Sequence, residues 1–212
     1  MEFRNYKIKR TCSKHYSNYQ QYKPYLAEDF QHRCAYCNLL DTDITSFFEI
    51  DHFVPQAEIK KHPSLSHLVN DYQNLVYSCR NCNGEKSDIF EGDLTTNPYE
   101  NERFYDPEKN DYNSIFYRNQ CGSICSNDTK GKSMIVDLKL YRPINNIAWI
   151  CEQLDMLSEK LQVLGDTETD PERKSLIKEA ELEALRYYKA CKKIHTANFN
   201  NKKFSINDIS FL

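Results

Sequence analysis

The sequence has no apolar run approaching the roughly 20 residues that a membrane-spanning helix needs, so we expect no membrane-embedded segment. It also lacks internal repeats and low-complexity segments. The basic N-terminus, MEFRNYKIKR, is not followed by the apolar stretch that a secretory signal requires, so we expect a cytoplasmic protein. Hydrophobic residues make up 40% of the 212 residues, which predicts a globular chain rather than a disordered one.

The net charge of −3 is small, but it is unevenly distributed. Residues 1–33 carry seven Lys and Arg against three Asp and Glu, a net charge of +4. Residues 34–110 carry six against fourteen, a net charge of −8, and the remaining residues carry +1. An acidic middle fits a site that gathers divalent cations, and the basic arm before it is suited to phosphate. The same pattern is also compatible with surface decoration alone.

The nine cysteines include two C-x-x-C pairs, Cys34 with Cys37 and Cys79 with Cys82. Nothing in the sequence argues for an oxidising compartment, so metal binding explains the cysteines better than disulfides do. Both thiolates of such a pair can turn toward one ion, and two pairs complete the closed tetrahedral S₄ shell of a structural zinc site. The alternative is four ordinary buried cysteines. We expect the other five to be buried structural thiols: Cys12, Cys121, Cys125, Cys151 and Cys191.

The 41 residues between the two pairs contain the segment FFEIDHFVP, in which Phe47 to Phe53 are predicted to form a short strand. Phosphodiester hydrolysis requires a base that deprotonates water and a cation that stabilises the developing charge. His52 suits the first task, and a carboxylate with a neutral oxygen ligand suits a hard ion. Asp51 and His52 are adjacent on the strand and point to opposite faces, and Glu49 shares the Asp51 face. Asn83 follows the last cysteine, so the zinc knuckle fixes its position.

The order C-x-x-C, DH-x-x-P, N-L and C-x-x-C-N-x-x-K resembles the HNH (ββα-metal) endonuclease family over roughly residues 30–90. EIDHFVPQ and NGEKSD are also similar to the HNH domain of RNA-guided DNA nucleases. The resemblance implies that His52 is the general base and that Asp51 and Asn83 hold a catalytic Mg²⁺ or Mn²⁺. It further implies that Asn74 steadies the loop and helps to orient His52. Many relatives have His where this chain has Asn83, so the preferred metal stays open. Lys86 is predicted either to touch phosphate or to be solvated.

The expected fold is α+β, a ββα-metal HNH core with a structural zinc knuckle plus a helical C-terminal part that forms an antiparallel helical hairpin. In that part, Pro143 is predicted to open a helix that Gly165 ends, and Pro171 to begin the next. Apolar residues that include Leu157 and Leu164 recur along the first helix at three- and four-residue steps, which predicts that they face the second helix. The chain is expected to divide into four segments: a basic and aromatic N-terminal arm (1–24), the HNH nuclease core (25–95), a connector with short strands and a helix (96–142) and the helical C-terminal part (143–212). In the connector, a strand is predicted from Asp111 to Arg118, and Asp128 is predicted to cap a helix that runs through Leu140.

The expected function is a metal-dependent endonuclease that hydrolyses DNA, with a structural Zn²⁺ and a catalytic Mg²⁺ or Mn²⁺. Small HNH proteins with helical extensions resemble the nuclease subunits of bacterial anti-phage systems, including Septu-like and retron-linked systems that pair one with an ATPase. The helical part is expected either to dock such a partner or to pack only on itself. The alternative function is a non-catalytic zinc module that binds nucleic acid or protein, but it gives Asp51, His52 and Asn83 no reason to coexist. The sequence does not distinguish DNA from RNA as the substrate.

Overall fold

The computed structural model describes residues 1–43, 48–97 and 100–199, and the chain divides into two compact units, Met1–Arg142 and Pro143–Leu212. Helices combine with two small antiparallel sheets, which confirms the predicted α+β class. Within the described ranges, no helix is long and apolar enough to cross a membrane. The finer division into four segments stays a prediction, and the last 13 residues of its helical part lie outside the described residues.

Within its described residues, the first unit contains five helices and four strands, joined in places by 3-10 turns. In chain order they are α1 (Lys23–Asp29), β1 (Phe48–His52), α2 (Gln56–Ile59), β2 (Leu75–Cys79), α3 (Arg80–Lys86), α4 (Tyr112–Ile115), β3 (Phe116–Arg118), β4 (Ile124–Ser126) and α5 (Thr129–Asp137). The 3-10 turns are Tyr19–Tyr22, Asp41–Asp43, Pro63–Val69 and Tyr72–Asn74.

The β1–β2 hairpin and the helix that follows it form the predicted ββα element. The two strands are antiparallel, with Phe48 opposite Cys79 and His52 opposite Leu75. All five residues of β2 are buried, so this strand lies in the core and fixes the register of β1. Because α3 begins directly after β2, the last cysteine pair and Asn83 are carried back toward β1. Phe47, which the sequence assigned to the first strand, lies outside the described residues.

The region that follows the ββα element differs from expectation in one place. A strand was predicted from Asp111 to Arg118, but its first half is the helix α4, and only β3 is extended. The reason is local, because the Asp111 carboxylate accepts a hydrogen bond from the Asn113 N–H (3.1 Å) and caps a helical turn. Asp128 caps α5 as predicted, by accepting from the Gly131 N–H at 2.6 Å.

The N-terminal residues have no regular structure, but they pack on the first unit. The Met1 carbonyl accepts from the Arg118 N–H at 2.9 Å, and Phe3 and Arg4 are buried. Arg10 donates to Glu108 at 2.6 Å. Arg4 and Arg10, two of the basic residues that were expected to contact phosphate, therefore make contacts within the fold instead. Lys7, Lys9 and Lys14 are exposed and remain available for contact with phosphate.

The second unit is the predicted helical hairpin, formed by α6 (Pro143–Thr167) and α7 (Pro171–Phe199), which pack along each other. The prediction that Gly165 ends the first helix is wrong, since α6 continues to Thr167. A Cβ at Gly165 would lie 3.3 Å from the Ile177 Cγ2 atom. The glycine therefore marks a close approach of the two helices rather than a helix end.

Candidate active site

The four paired cysteines meet in one buried cluster, as the spacing predicted. Cys34 and Cys37 lie in the loop after α1, while Cys79 ends β2 and Cys82 lies in α3. Their sulfur atoms all lie within 4.8 Å of one another, and Cys37 Sγ is 3.8 Å from Cys79 Sγ. A tetrahedral ion with Zn–S bonds of about 2.3 Å places its sulfurs about 3.8 Å apart. The donor set and its spacing therefore fit a structural zinc better than four unrelated buried thiols.

The pKa shifts of the clustered thiols are also consistent with a cation-binding site. Burial raises the pKa of the Cys34 thiol, but hydrogen bonds from the other three cysteines outweigh burial and hold this pKa well below its usual value. The contact with Cys34 raises the pKa of Cys37 and of Cys82 well above the usual value. Four thiolates this close together would repel one another, so a bound cation would favour the ionisation of all four sulfurs.

The remaining cysteines do not form a second cluster in the described part of the chain. The expectation that all are buried thiols holds for Cys151 and is wrong for Cys121, which is exposed. Cys121 lies at the tip of the β3–β4 connection, where a side chain meets solvent. Cys12, Cys125 and Cys191 are half-buried.

The first cysteine pair contacts both strands of the hairpin. The Ala35 N–H donates to the Tyr77 carbonyl of β2 at 2.8 Å. The Tyr36 hydroxyl donates to Asp51 Oδ2 on β1 at 2.6 Å. Burial, and then the Asp51 carboxylate, raise the pKa of Tyr36 well above its usual value, so the hydroxyl stays protonated and remains a donor. The knuckle thereby fixes the side chain of Asp51.

Asp51 also forms a buried ion pair with Lys86, the last residue of α3. The Lys86 ammonium donates to Asp51 Oδ1 at 3.1 Å and to the His52 carbonyl oxygen at 2.8 Å. The Lys86 side chain is 0% exposed. Both expectations for this lysine, a phosphate contact or a solvated side chain, are therefore wrong, because α3 packs against β1 and turns the ammonium inward.

His52 is nearly buried, and its ring is held on several sides. One ring nitrogen, Nε2, lies 2.9 Å from the Val69 carbonyl, which can only accept, so Nε2 carries the proton and Nδ1 the lone pair. Tyr19 and the imidazole pack edge to face, with ring centres 4.6 Å apart. The Gln56 amide lies 3.4 Å from both ring nitrogens. Burial lowers the pKa of His52, and the hydrogen bond to Val69 partly offsets it, so the ring is neutral near pH 7.

Asn74 is fully buried and joins the two ends of the loop that follows β1. Its Oδ1 accepts from the Val54 N–H at 2.8 Å, and its Nδ2 donates to the carbonyls of Val54 and Leu68 at 3.2 and 3.0 Å. Leu68 precedes Val69, whose carbonyl holds His52. Asn74 therefore positions the imidazole indirectly, through the backbone of the loop.

Asn83 lies beside Glu49, at the other end of β1 from His52. Its Nδ2 donates to Glu49 Oε2 at 2.7 Å, which leaves Oδ1 as a free acceptor. Both side chains line a cleft of about 420 Å³. The other lining residues are Tyr19, Gln20, Lys23, Phe48 and Ile50.

Three contributors to the site were missed from the sequence: Tyr19, Tyr36 and Gln56. Of these three, only Gln56 could have been inferred from a local signal, because it lies four residues after His52. Tyr19 and Tyr36 reach the site only through packing between segments that are distant in sequence. The sequence contains fifteen tyrosines, so residue type alone could not single out these two.

Comparison with known proteins identifies the family of one segment of the chain. Residues 34–88 match the HNH endonuclease family, and this range contains both cysteine pairs as well as Asp51, His52, Asn74 and Asn83. The segment is thus an HNH endonuclease domain, which confirms the resemblance inferred from the order of its motifs.

A particular relative is the Septu protein PtuB of Bacillus thuringiensis. It is 32% identical to this chain over 68 residues, which is 30% of this chain and 24% of that protein. The match thus spans about a quarter of the relative's length. No solved structure matches the chain significantly.

Proposed function

We propose that the chain is an endonuclease that hydrolyses phosphodiester bonds of DNA, with His52 as the general base. The observation that carries this proposal is the arrangement of His52. Its Nε2 is fixed on the Val69 carbonyl and its pKa is lowered by burial, so Nδ1 presents a lone pair at neutral pH. A neutral imidazole with one nitrogen anchored is the arrangement that proton abstraction from water requires.

The residues around His52 keep this base in place while it takes up the proton. Tyr19 packs on one side of the ring, and the Lys86 ammonium holds the His52 backbone carbonyl. Gln56 contacts Nδ1 only at 3.4 Å, which is long for a hydrogen bond, so a water molecule can replace it. Asn74 fixes the loop whose Val69 carbonyl selects the tautomer.

Asp51 and Asn83 would hold a catalytic Mg²⁺ or Mn²⁺, with Glu49 beside Asn83. Carboxylate and amide oxygens are suitable donors for such hard ions, which bind through few protein ligands and keep several waters. Each Asp51 oxygen accepts one hydrogen bond, and a carboxylate oxygen has a second lone pair to offer. Such an ion supplies stabilisation of negative charge on the phosphate oxygens.

The proposed substrate and setting are DNA and bacterial anti-phage defence in the cytoplasm. The HNH domain supports nuclease activity, and the similarity to the Septu protein PtuB supports the defence role. Lys23 lines the cleft beside Glu49 and Asn83, and Arg80 is exposed near it, so both are suited to contact a phosphate backbone.

We further propose that the helical unit binds a partner protein, such as an ATPase subunit. Leu157 and Leu164, which the periodicity assigned to the seam between the helices, are 46% and 50% exposed. Val163 on α6 and Leu176 and Leu182 on α7 are exposed as well. Apolar side chains exposed in such number suit a protein interface. Size-exclusion of the chain alone and of the chain co-expressed with its gene neighbour tests this, and a hairpin that only packs on itself would elute unchanged.

Cleavage of supercoiled plasmid by the wild type and by His52→Ala tests the nuclease proposal. Reactions contain Mg²⁺, Mn²⁺ or no added divalent ion, and zinc content is measured to show that the knuckle stays intact. Loss of the base should lower the rate by about 10²–10⁴-fold. His67→Ala is the matched control, because His67 is an exposed histidine of the same insertion.

Cleavage that requires the divalent ion, is lost in His52→Ala and persists in His67→Ala supports the proposal. Equal cutting by wild type and His52→Ala contradicts the assignment of the base. DNA binding without cleavage, both for the chain alone and with its co-expressed gene neighbour, would instead support the non-catalytic zinc module.

A further inference from the structure

Arg4 is a buried cation that forms no ion pair with a carboxylate in the described ranges, and its Nη1 donates to the Pro107 carbonyl at 3.5 Å. The residue is 6% exposed, and no carboxylate of the described ranges lies within 4.0 Å of its guanidinium. Its Nη2 donates to the Ala35 carbonyl at 2.8 Å, inside the first cysteine pair. The ring centre of Tyr112 lies 4.3 Å from the guanidinium carbon. Burying a charge without a paired carboxylate is costly, so a negative charge close by would stabilise Arg4 further.

The backbone around Arg4 is held in place by several hydrogen bonds. The N–H groups of Phe3 and Arg4 donate to Asn113 Oδ1 at 3.0 and 2.9 Å, and Asn113 Nδ2 donates to the Arg4 carbonyl at 2.8 Å. Asn38, the residue after Cys37, donates to the Phe3 carbonyl at 3.1 Å. This segment is therefore fastened to the zinc knuckle itself as well as to α4.

A second buried arginine reaches the same loop from β3. Arg118 is 3% exposed, and its Nη2 donates to the Cys37 carbonyl at 3.1 Å. Arg4 and Arg118 both lie outside the residues 34–88 that match the HNH family. Two guanidinium groups from distant parts of the chain thus contact carbonyls of a single C-x-x-C pair.

A doubly charged cation bound by four thiolates leaves two negative charges in excess. In a buried site of low dielectric, that excess interacts strongly with nearby cations. We infer that Arg4 and Arg118 are the counter-charges of the zinc-bound cysteine cluster and that they raise its affinity for zinc. Their bonds to the Ala35 and Cys37 carbonyls also hold the loop in the shape that directs both thiolates to one ion.

Zinc affinity of the purified full chain tests this inference without reference to nuclease activity. The zinc dissociation constant is measured by competition with a colorimetric zinc chelator, and bound zinc is counted by elemental analysis. Arg4→Met and Arg118→Met should each raise the dissociation constant by about 10–100-fold, the usual effect of losing an outer-shell partner. Arg4→Lys keeps the charge, so its zinc dissociation constant should lie between that of the methionine variants and that of the wild type.

Arg10→Met is the matched control, because Arg10 lies in the same N-terminal segment, has a side chain only 8% exposed and pairs with Glu108 rather than with a carbonyl of the cysteine loop. It should leave the zinc affinity unchanged. Arg4→Gln keeps a donor for the Ala35 carbonyl but has no charge, so weaker zinc binding in this variant assigns the effect to charge.

Several results would overturn the inference. These are a wild type that binds no zinc, an Arg4→Met protein with wild-type affinity, and equal weakening by Arg10→Met, which would indicate a general loss of packing. If Arg4→Met does not fold by circular dichroism, the same decision rests on Arg4→Gln and Arg118→Met. Wild-type affinity in both of those variants would refute the counter-charge role.

Discussion

Replacement of Lys86 by methionine should destabilise the first unit far more than an ordinary lysine replacement. Lys86 is 0% exposed and its ammonium makes two bonds, to Asp51 at 3.1 Å and to the His52 carbonyl at 2.8 Å. Methionine fills a similar volume but leaves the Asp51 carboxylate buried without its cation. Removing one partner of a buried ion pair costs about 3–5 kcal/mol, so we expect a loss of that size in the free energy of unfolding.

Urea unfolding, followed by circular dichroism in zinc-containing buffer without Mg²⁺, measures this loss. Lys61→Met is the matched control, because Lys61 pairs with Glu58 at 2.6 Å but is 63% exposed. A surface pair of this kind is worth about 0–1 kcal/mol. The two variants therefore remove the same chemical group from pairs that differ mainly in burial.

The double variant Lys86→Met with Asp51→Asn removes the uncompensated charge, so it should recover part of the stability that Lys86→Met loses. A Lys86→Met protein as stable as Lys61→Met would refute the reasoning. It would show that leaving the Asp51 carboxylate buried without its cation does not lower the free energy of unfolding. A double variant less stable than Lys86→Met alone would contradict the charge argument as well.

Three further predictions follow from the hydrogen bonds and the cysteine cluster. Asn74→Ala should cost at least about 1–3 kcal/mol in urea unfolding, because it leaves buried backbone groups of the loop unpaired, whereas the exposed neighbour Gln73→Ala should cost little. Cys79→Ser should lose zinc and lower the melting temperature; one zinc per chain with an unchanged melting curve would contradict the site. The hydrogen bond to Asp41, 3.0 Å away, raises the pKa of His32, so an NMR titration should find it above the usual value and Asp41→Asn should lower it. The resulting stabilisation is present below the unfolded-state pKa and is lost as pH rises through the folded-state pKa, and it should be small because the pair is exposed.

The four-cysteine cluster and the ββα order could be predicted because their signals are short in range. A two-residue gap lets the thiolates of Cys34 and Cys37 converge by local geometry, and the same holds for the pair at Cys79. The aromatic and branched residues of β1 and β2 favour strands without reference to the rest of the chain. The caps at Asp111 and Asp128 are equally local, although the first was overlooked.

The prediction for Gly165 failed because glycine has two uses that the sequence does not separate. It ends helices by adopting a left-handed conformation, and it also allows two helices to approach closely. Here Ile177 of α7 packs next to Gly165, and this contact exists only once the hairpin has closed.

The sequence by itself determined which chemical groups are available: four thiols at zinc-binding spacing, a histidine beside a carboxylate, and an asparagine tied to the knuckle. Only the tertiary structure decided how those groups are paired. Lys86 neutralises Asp51, and Asn83 bonds to Glu49, across separations of 35 and 34 residues. Such pairings depend on how α3 packs against β1, and burial there sets the strength of each charge interaction, which no local pattern encodes.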